Sequence, residues 1–137
     1  MLATAHPKPR RSVKTRRANK ARHNAQKARR IKAAVKVADG GTCRWAGCET
    51  PPDTFWGQLE VAHLQAAGMG GDPQLRRMVP ENLITLCRWH HQGPHGLHSG
   101  QATIDPVTEQ GTRGPVFCLR LVDSQWVMVG FSRPPGA

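Results

Sequence analysis

Four side chains with metal-binding chemistry occur as two closely spaced pairs. Four residues separate Cys43 from Cys48, and two separate Cys87 from His90. Three thiolates and an imidazole are soft ligands that suit tetrahedral zinc. Cysteines in a reducing compartment also favour metal binding over disulfides. We therefore expect these residues to bind a structural Zn²⁺. The alternative is that the cysteines are small buried hydrophobes and that His90 lies on the surface.

The segment between the two pairs is too long for an ordinary zinc finger. It contains 38 residues, whereas finger and ribbon pairs are separated by about 12 to 20 residues. Histidines are concentrated in and just after this segment, at a density that indicates metal or acid–base chemistry. The remaining cysteine, Cys118, is expected to be a core residue. The five clustered histidines are His63, His90, His91, His95 and His98.

Residues 61–64 contain His63, and residues 81–91 contain Asn82 and His91, with the glycine-rich stretch 68–72 between them. The chain therefore presents histidine, asparagine and histidine in that order. This ordered set resembles the HNH endonuclease family, whose ββα-metal (His-Me finger) fold is a zinc-stapled hairpin and helix. Residues 97–100 are similar to phage-type members. The resemblance covers about residues 43–99 and excludes the basic N-terminal segment.

The resemblance implies a role for each of the three residues. His63 is expected to be the general base, because a neutral imidazole can deprotonate water near pH 7. Asn82 is expected to orient the catalytic loop. His91 is expected to hold a catalytic Mg²⁺, Mn²⁺, Ni²⁺ or Zn²⁺ ion, which would stabilise the charge that develops on the phosphate. The implied activity is metal-dependent hydrolysis of DNA phosphodiester bonds.

One position departs from the family pattern. Many members carry Asp or His just before the catalytic histidine as a metal ligand, and this chain has Ala62 there. Glu60, His95 and His98 are candidates for the missing ligand, and we favour His98. Ala62 also leaves open an alternative, a catalytically impaired, zinc-stabilised nucleic-acid-binding module. A zinc-finger regulator is the weakest alternative, because the most basic helix is far from the cysteine pairs.

Positive charge is concentrated at the N-terminus. Thirteen of the 20 Lys and Arg residues precede Asp39, which is the first acid, so residues 1–38 carry +13 and the remainder about −2. Such density attracts nucleic acid through counterion release, although a solubilising tail or a transit peptide has a similar composition. The residues expected to contact DNA are Arg10, Arg11, Lys14, Arg16, Arg17, Lys20, Arg22, Lys27, Arg29 and Arg30.

The hydropathy pattern indicates neither a membrane span of roughly 20 apolar residues nor a secretory signal. We therefore expect a cytoplasmic protein, in a bacterial host or encoded by a phage, with no membrane partner. By analogy with phage-type members, proteins of genome packaging or of a mobile element are candidate partners.

The predicted elements indicate an α+β fold in three parts. Residues 1–38 form a basic tail that is helical over 15–37, with an apolar stripe containing Ala18, Ala21, Ala25, Ala28 and Val35. Residues 39–100 form the zinc-stapled HNH domain, with strands at 58–64 and 82–86 and a short helix at 88–92. Residues 101–137 add a β-hairpin with strands at 116–122 and 126–131. Deleting residues 1–37 is expected to weaken DNA binding and to spare the fold. The four tryptophans are expected to pack in the core, and stacking on bases is the alternative.

Overall fold

The computed structural model describes residues 5, 7–9, 12–65 and 75–136. It confirms an α+β chain with one long helix and two small antiparallel sheets. Arg10, Arg11 and the glycine-rich residues 68–72 lie outside the described residues. The helices and strands are α1 (Val13–Ala38), β1 (Leu59–His63), β2 (Leu83–Cys87), α2 (Arg88–Gln92), β3 (Ala102–Pro106), β4 (Val116–Val122) and β5 (Gln125–Ser132).

Both ends of α1 have local causes. Ser12 caps the N-terminus, since its hydroxyl oxygen accepts a hydrogen bond of 3.1 Å from the Thr15 amide. At the C-terminus Gly40 and Gly41 have φ angles of 75° and 65°, in the left-handed region that glycine adopts readily. Their amides bond back to carbonyls of the last turn, which completes a Schellman-type ending. The helix predicted over 15–37 is therefore confirmed, with slightly wider bounds.

Only the last turns of α1 pack on the rest of the molecule. Val35 is 2% exposed and contacts a small core with Val61 and Leu83. The first three alanines of the predicted stripe are exposed, because the packed domain does not extend over them. Because deletion of residues 1–37 would remove the buried Val35, we now expect it to destabilise the fold, in contrast to the expectation from sequence that the fold would be spared. The exposed alanines are Ala18, Ala21 and Ala25.

β1 and β2 form a hairpin that is buried on both faces. They pair antiparallel, with Leu59 opposite Cys87 and His63 opposite Leu83. Because side chains alternate along a strand, one face packs on α1 while the other, including Ala62, enters the main core. The strand predicted over 82–86 begins one residue later, because Asn82 ends a 3-10 turn, Pro80–Asn82.

The C-terminal part is a three-stranded sheet in the order β3-β4-β5. The predicted hairpin of β4 and β5 is confirmed, and β3 is an additional strand that the sequence analysis missed. One face of the sheet completes the main core, in which Cys118 is fully buried, as predicted. The other face exposes large apolar side chains, with Trp126, Met128 and Phe131 between 41% and 58% exposed.

A buried polar cluster joins α1, the hairpin and the loop before β4. The Asp39 carboxylate is fully buried and accepts a 2.9 Å hydrogen bond from the Thr85 amide. Arg113 donates to both carboxylate oxygens, at 3.0 and 3.2 Å. Arg44 lies 3.5 Å from the same carboxylate and donates to the carbonyl of Thr112. This cluster fixes the end of the basic helix to the domain.

No helix in the described ranges is both long enough and apolar enough to cross a membrane.

Candidate metal centre and adjoining histidines

The four residues predicted to bind zinc come together. Cys43 and Cys48 lie in the loop after α1, Cys87 ends β2, and His90 lies in α2. Their potential ligand atoms all lie within 4.8 Å of one another. In the part of the chain that the structure describes, this is the one group of three or more Cys, His, Asp or Glu side chains so placed.

The spacing of these atoms suits a tetrahedral ion. Cys48 Sγ lies 3.9 Å from Cys87 Sγ. His90 Nδ1 lies 3.1 Å from Cys87 Sγ and 3.7 Å from Cys43 Sγ. Zn–S and Zn–N bonds of about 2.3 and 2.0 Å separate neighbouring tetrahedral ligands by roughly 3.5 to 3.8 Å. The cluster can therefore hold a metal ion such as zinc.

Burial shifts the pKa values of two side chains of this cluster, His90 and Cys43. It lowers the pKa of His90 to about 4, with a smaller contribution from the Arg120 charge, so the imidazole is neutral at pH 7 and has a lone pair to donate. Burial raises the pKa of the Cys43 thiol. A bound cation would oppose that effect, and binding would therefore release protons. Trp45 stacks on His90 at 5.2 Å and holds the ring plane.

A second set of side chains surrounds His91, the next residue of α2. Its Nδ1 lies 3.0 Å from Glu60 Oε1. Gln92 Nε2 donates to the same oxygen at 2.7 Å, and Arg88 Nε donates to Glu60 Oε2 at 3.3 Å. Glu60 therefore anchors α2 on β1. With Nδ1 engaged, Nε2 is the ring nitrogen left to coordinate a cation, in the arrangement of a carboxylate–histidine–metal triad.

His98 is folded back onto His91. Its amide donates to the His91 carbonyl at 2.9 Å, and the two ring centroids are 4.3 Å apart. The chain can fold back over α2 in this way because residue 96 is glycine. An added Cβ at Gly96 would lie only 2.9 Å from the carbonyl oxygens of Trp89 and His90. The exposed His95 lies instead beside Trp89, with ring centroids 6.4 Å apart.

His91 is in the protonation state that a metal ligand needs. Burial lowers its pKa, and the nearby His98 and Lys32 act in the same direction, while the Glu60 hydrogen bond opposes them. The ring is therefore neutral at pH 7. Ala62 is fully buried and packs in the main core, so this position contributes packing.

Asn82 holds the chain that follows His63. Its Oδ1 accepts from the Gln65 amide at 2.8 Å, and its Nδ2 donates to the carbonyls of Gln65 and Arg77 at 3.0 and 2.9 Å. The Leu64 amide also bonds to the Asn82 carbonyl, at 2.9 Å. His63 itself is the half-buried last residue of β1. The end of β1 and the start of β2 are thus held together at this asparagine.

The basic side chains of α1 are available to solvent. Eight of the ten residues expected to contact DNA are described, and all eight are exposed around the helix. The helix of 26 residues is about 39 Å long. These eight residues are Lys14, Arg16, Arg17, Lys20, Arg22, Lys27, Arg29 and Arg30.

Sequence analysis missed two features of this region. Glu60 was considered only as a metal ligand, and its contacts with α2 depend on how that helix packs. An aromatic group beside the metal cluster was also missed, because core packing was favoured over base stacking for all four tryptophans. That expectation is wrong for Trp126, which is 48% exposed, and for Trp56. Trp45 is buried, but Phe55 and Trp56 are 61% and 38% exposed.

Comparisons of the chain with protein-family models, with curated proteins and with solved structures found no match.

Proposed function

We propose that this protein is a metal-dependent DNA endonuclease of the HNH type, in which Cys43, Cys48, Cys87 and His90 bind a structural zinc ion. The observation that carries the proposal is the ββα unit itself. Strand β1 ends in His63, Asn82 precedes β2, and α2 presents His91 directly after a Cys/His metal cluster. This order of residues along two strands and a helix supports the proposal.

The contacts of each residue support its proposed role. The three side-chain hydrogen bonds of Asn82 suit a residue that orients the chain after the general base, His63. Glu60 orients His91 so that Nε2 can bind a divalent cation, and His98 is near enough to supply a second imidazole. The cation would stabilise the charge on the phosphate and the departing oxygen, while His63 accepts a proton from the attacking water.

A second function, a zinc-stabilised nucleic-acid-binding module with impaired catalysis, is favoured by Ala62 and Glu60. Ala62 supplies no ligand, and the Glu60 carboxylate is engaged by three side chains of α2.

His91 and His98 are then the two protein ligands proposed for the catalytic ion, with water completing its shell. A shell this sparse binds a cation weakly, so activity should need a high concentration of added metal.

Nicking of supercoiled plasmid DNA tests the enzyme proposal. Wild-type protein is assayed with Mg²⁺, Mn²⁺, Ni²⁺ or Zn²⁺ beside His63→Ala and His91→Ala variants. Loss of one catalytic group costs about 10²- to 10⁴-fold in rate, so both variants should be nearly inactive. His95→Ala is the matched control, because it removes an exposed imidazole from the loop just after α2 and should retain activity.

One result would separate the two proposed functions. Wild-type protein that binds DNA without nicking it in any of the four metals would support the binding module alone. A different result, equal nicking by wild-type and His63→Ala protein, would show that His63 is not the general base.

A further inference from the structure

A cleft of about 610 Å³ lies beside the metal cluster, on the side of α2 that carries Trp89. One wall comes from the loop that follows Cys48 and from α2, and the other from the C-terminal sheet. The lining residues that matter here are Trp45, Trp56, Trp89, Glu49, Arg120 and Val129. This volume is within the range of small-ligand sites, about 300 to 1,000 Å³.

On the wall formed by Trp56 and Trp89, more aromatic surface is exposed than packing alone requires. Trp56 packs edge-on against Phe55 and Trp89, each at 5.2 Å between ring centroids. Trp56 remains 38% exposed, and Phe55 61% exposed. Phe55 lies next to the cleft rather than in its lining, and Arg88 lies over the Phe55 ring at 4.4 Å. Exposed rings held by neighbouring rings, with arginine beside them, are the features of proteins that stack unpaired bases.

The cleft has one charged side chain on each wall, Glu49 in the loop after Cys48 and Arg120 on the C-terminal sheet. The Nε of Arg120 is buried and has no hydrogen-bond partner in the described structure. A ligand in the cleft would meet another part of the Arg120 side chain, which lines the cleft, and its positive charge can attract a phosphate. Glu49 is on the same cleft, and a carboxylate there can accept a hydrogen bond from the Watson–Crick edge of an unstacked base, such as the N3–H of thymine. Aromatic, cationic and acceptor groups thus line one cavity.

We propose that this cleft binds one unpaired nucleotide of the substrate, with the base against Trp56 and its phosphate on Arg120. The inference rests on the proposed nucleic-acid substrate and adds to it a preference for single-stranded or unstacked DNA. A duplex cannot use this cleft without extruding a base, which costs free energy. The basic helix α1, by contrast, binds phosphates of either form.

Affinity for single-stranded and duplex DNA tests the proposal. Fluorescence anisotropy is measured with labelled oligothymidylate of about 8 nucleotides and with a duplex of the same length, without added divalent metal. Trp56→Ala should weaken single-strand binding about tenfold and change duplex binding less than twofold. Trp56→Phe, which keeps a ring, should retain most of the affinity.

Trp126→Ala is the matched control, because Trp126 is a tryptophan of similar exposure, 48%, on the outer face of the C-terminal sheet. It should leave both affinities unchanged. Thermal unfolding and metal content establish that each variant is folded. Unchanged single-strand binding by folded Trp56→Ala, or equal losses for both DNA forms, would overturn the proposal.

The binding measurement and the nicking assay test the two proposals separately. Wild-type protein that does not cleave DNA but shows the Trp56-dependent preference for single strands would contradict the endonuclease proposal and support nucleotide binding in the cleft. Failure of wild-type protein to bind either DNA would overturn both.

Discussion

The Glu60 carboxylate joins β1 to α2 and orients His91, a role that depends on three hydrogen bonds to one short helix. Alternation along β1 predicts that Glu60 and Ala62 share a strand face. It cannot predict that α2 lies over Glu60, because that contact depends on the direction in which the chain leaves β2 at Cys87 and enters α2. The position of Glu60 was therefore predictable, and its partners were not.

At the same scale, Asp39 is the buried charge on which α1 and the loop before β4 converge. Asp39→Asn keeps the shape of the side chain but leaves the guanidinium groups of Arg44 and Arg113 without a counter-charge. Breaking a buried ion pair in this way costs about 3 kcal/mol or more. Urea denaturation followed by circular dichroism should show this decrease in the free energy of unfolding.

Asp53→Asn is the control, since Asp53 is exposed and the same change there should alter stability by less than about 0.5 kcal/mol. Equal midpoints for the two variants would show that the Asp39 cluster does not stabilise the fold.

The cysteines provide a second comparison between chemically identical residues. Cys48→Ala removes a proposed ligand, so bound zinc should be lost and the domain should unfold. Cys118→Ala truncates a fully buried cysteine of the main core and should retain one zinc ion per chain, at a stability cost of about 1 kcal/mol. Metal content by mass spectrometry measures the difference. A zinc-bound, folded Cys48→Ala protein would show that the cluster is not the zinc site.

At the scale of elements, α1 has two parts with different roles. Eight of its ten basic residues are exposed and lie between Lys14 and Arg30, while Val35 and the neighbouring Ile31 pack against the hairpin. Composition predicted the helix and its charge, because both depend on local sequence. It did not predict where the helix meets the domain, because that contact is made by a few aliphatic residues among many alanines.

This division predicts the result of a truncation. Deleting residues 1–23 removes eight of the thirteen N-terminal Lys and Arg residues and leaves Ile31 and Val35 in place. Duplex DNA affinity should fall, and its dependence on salt concentration should become shallower, because fewer counterions are released. The fold should be retained, whereas deletion of residues 1–37 should destabilise it. Titrations at several salt concentrations measure the slope, and an unchanged slope would contradict a DNA-binding role for α1.

β3 shows where strand prediction failed. Its sequence, Ala102–Pro106, has only two β-branched residues and ends in proline, so the local preference for a strand is weak. It forms because Ile104 pairs opposite Cys118 and enters the main core. β4 and β5 are longer and richer in β-branched and aromatic residues, and they were predicted.

At the scale of the whole molecule, the N-terminal helix and the C-terminal sheet both contribute to the unit that carries the histidines. Val35 packs under the β1–β2 hairpin, and Val116 and Cys118 pack over its other face. The metal cluster was predictable because ligand type and spacing follow from zinc chemistry. The Asp39 cluster and the aromatic cleft were not, because each gathers residues that are distant along the chain.

The most direct test of the central claim is cleavage by protein of known zinc content. Protein with one zinc ion per chain should be inactive without a second metal, and it should nick plasmid DNA as Mg²⁺ or Mn²⁺ is added. His91→Ala should keep its zinc and lose the cleavage that depends on added metal. Wild-type protein with full zinc that leaves the plasmid intact at every metal concentration would contradict the claim.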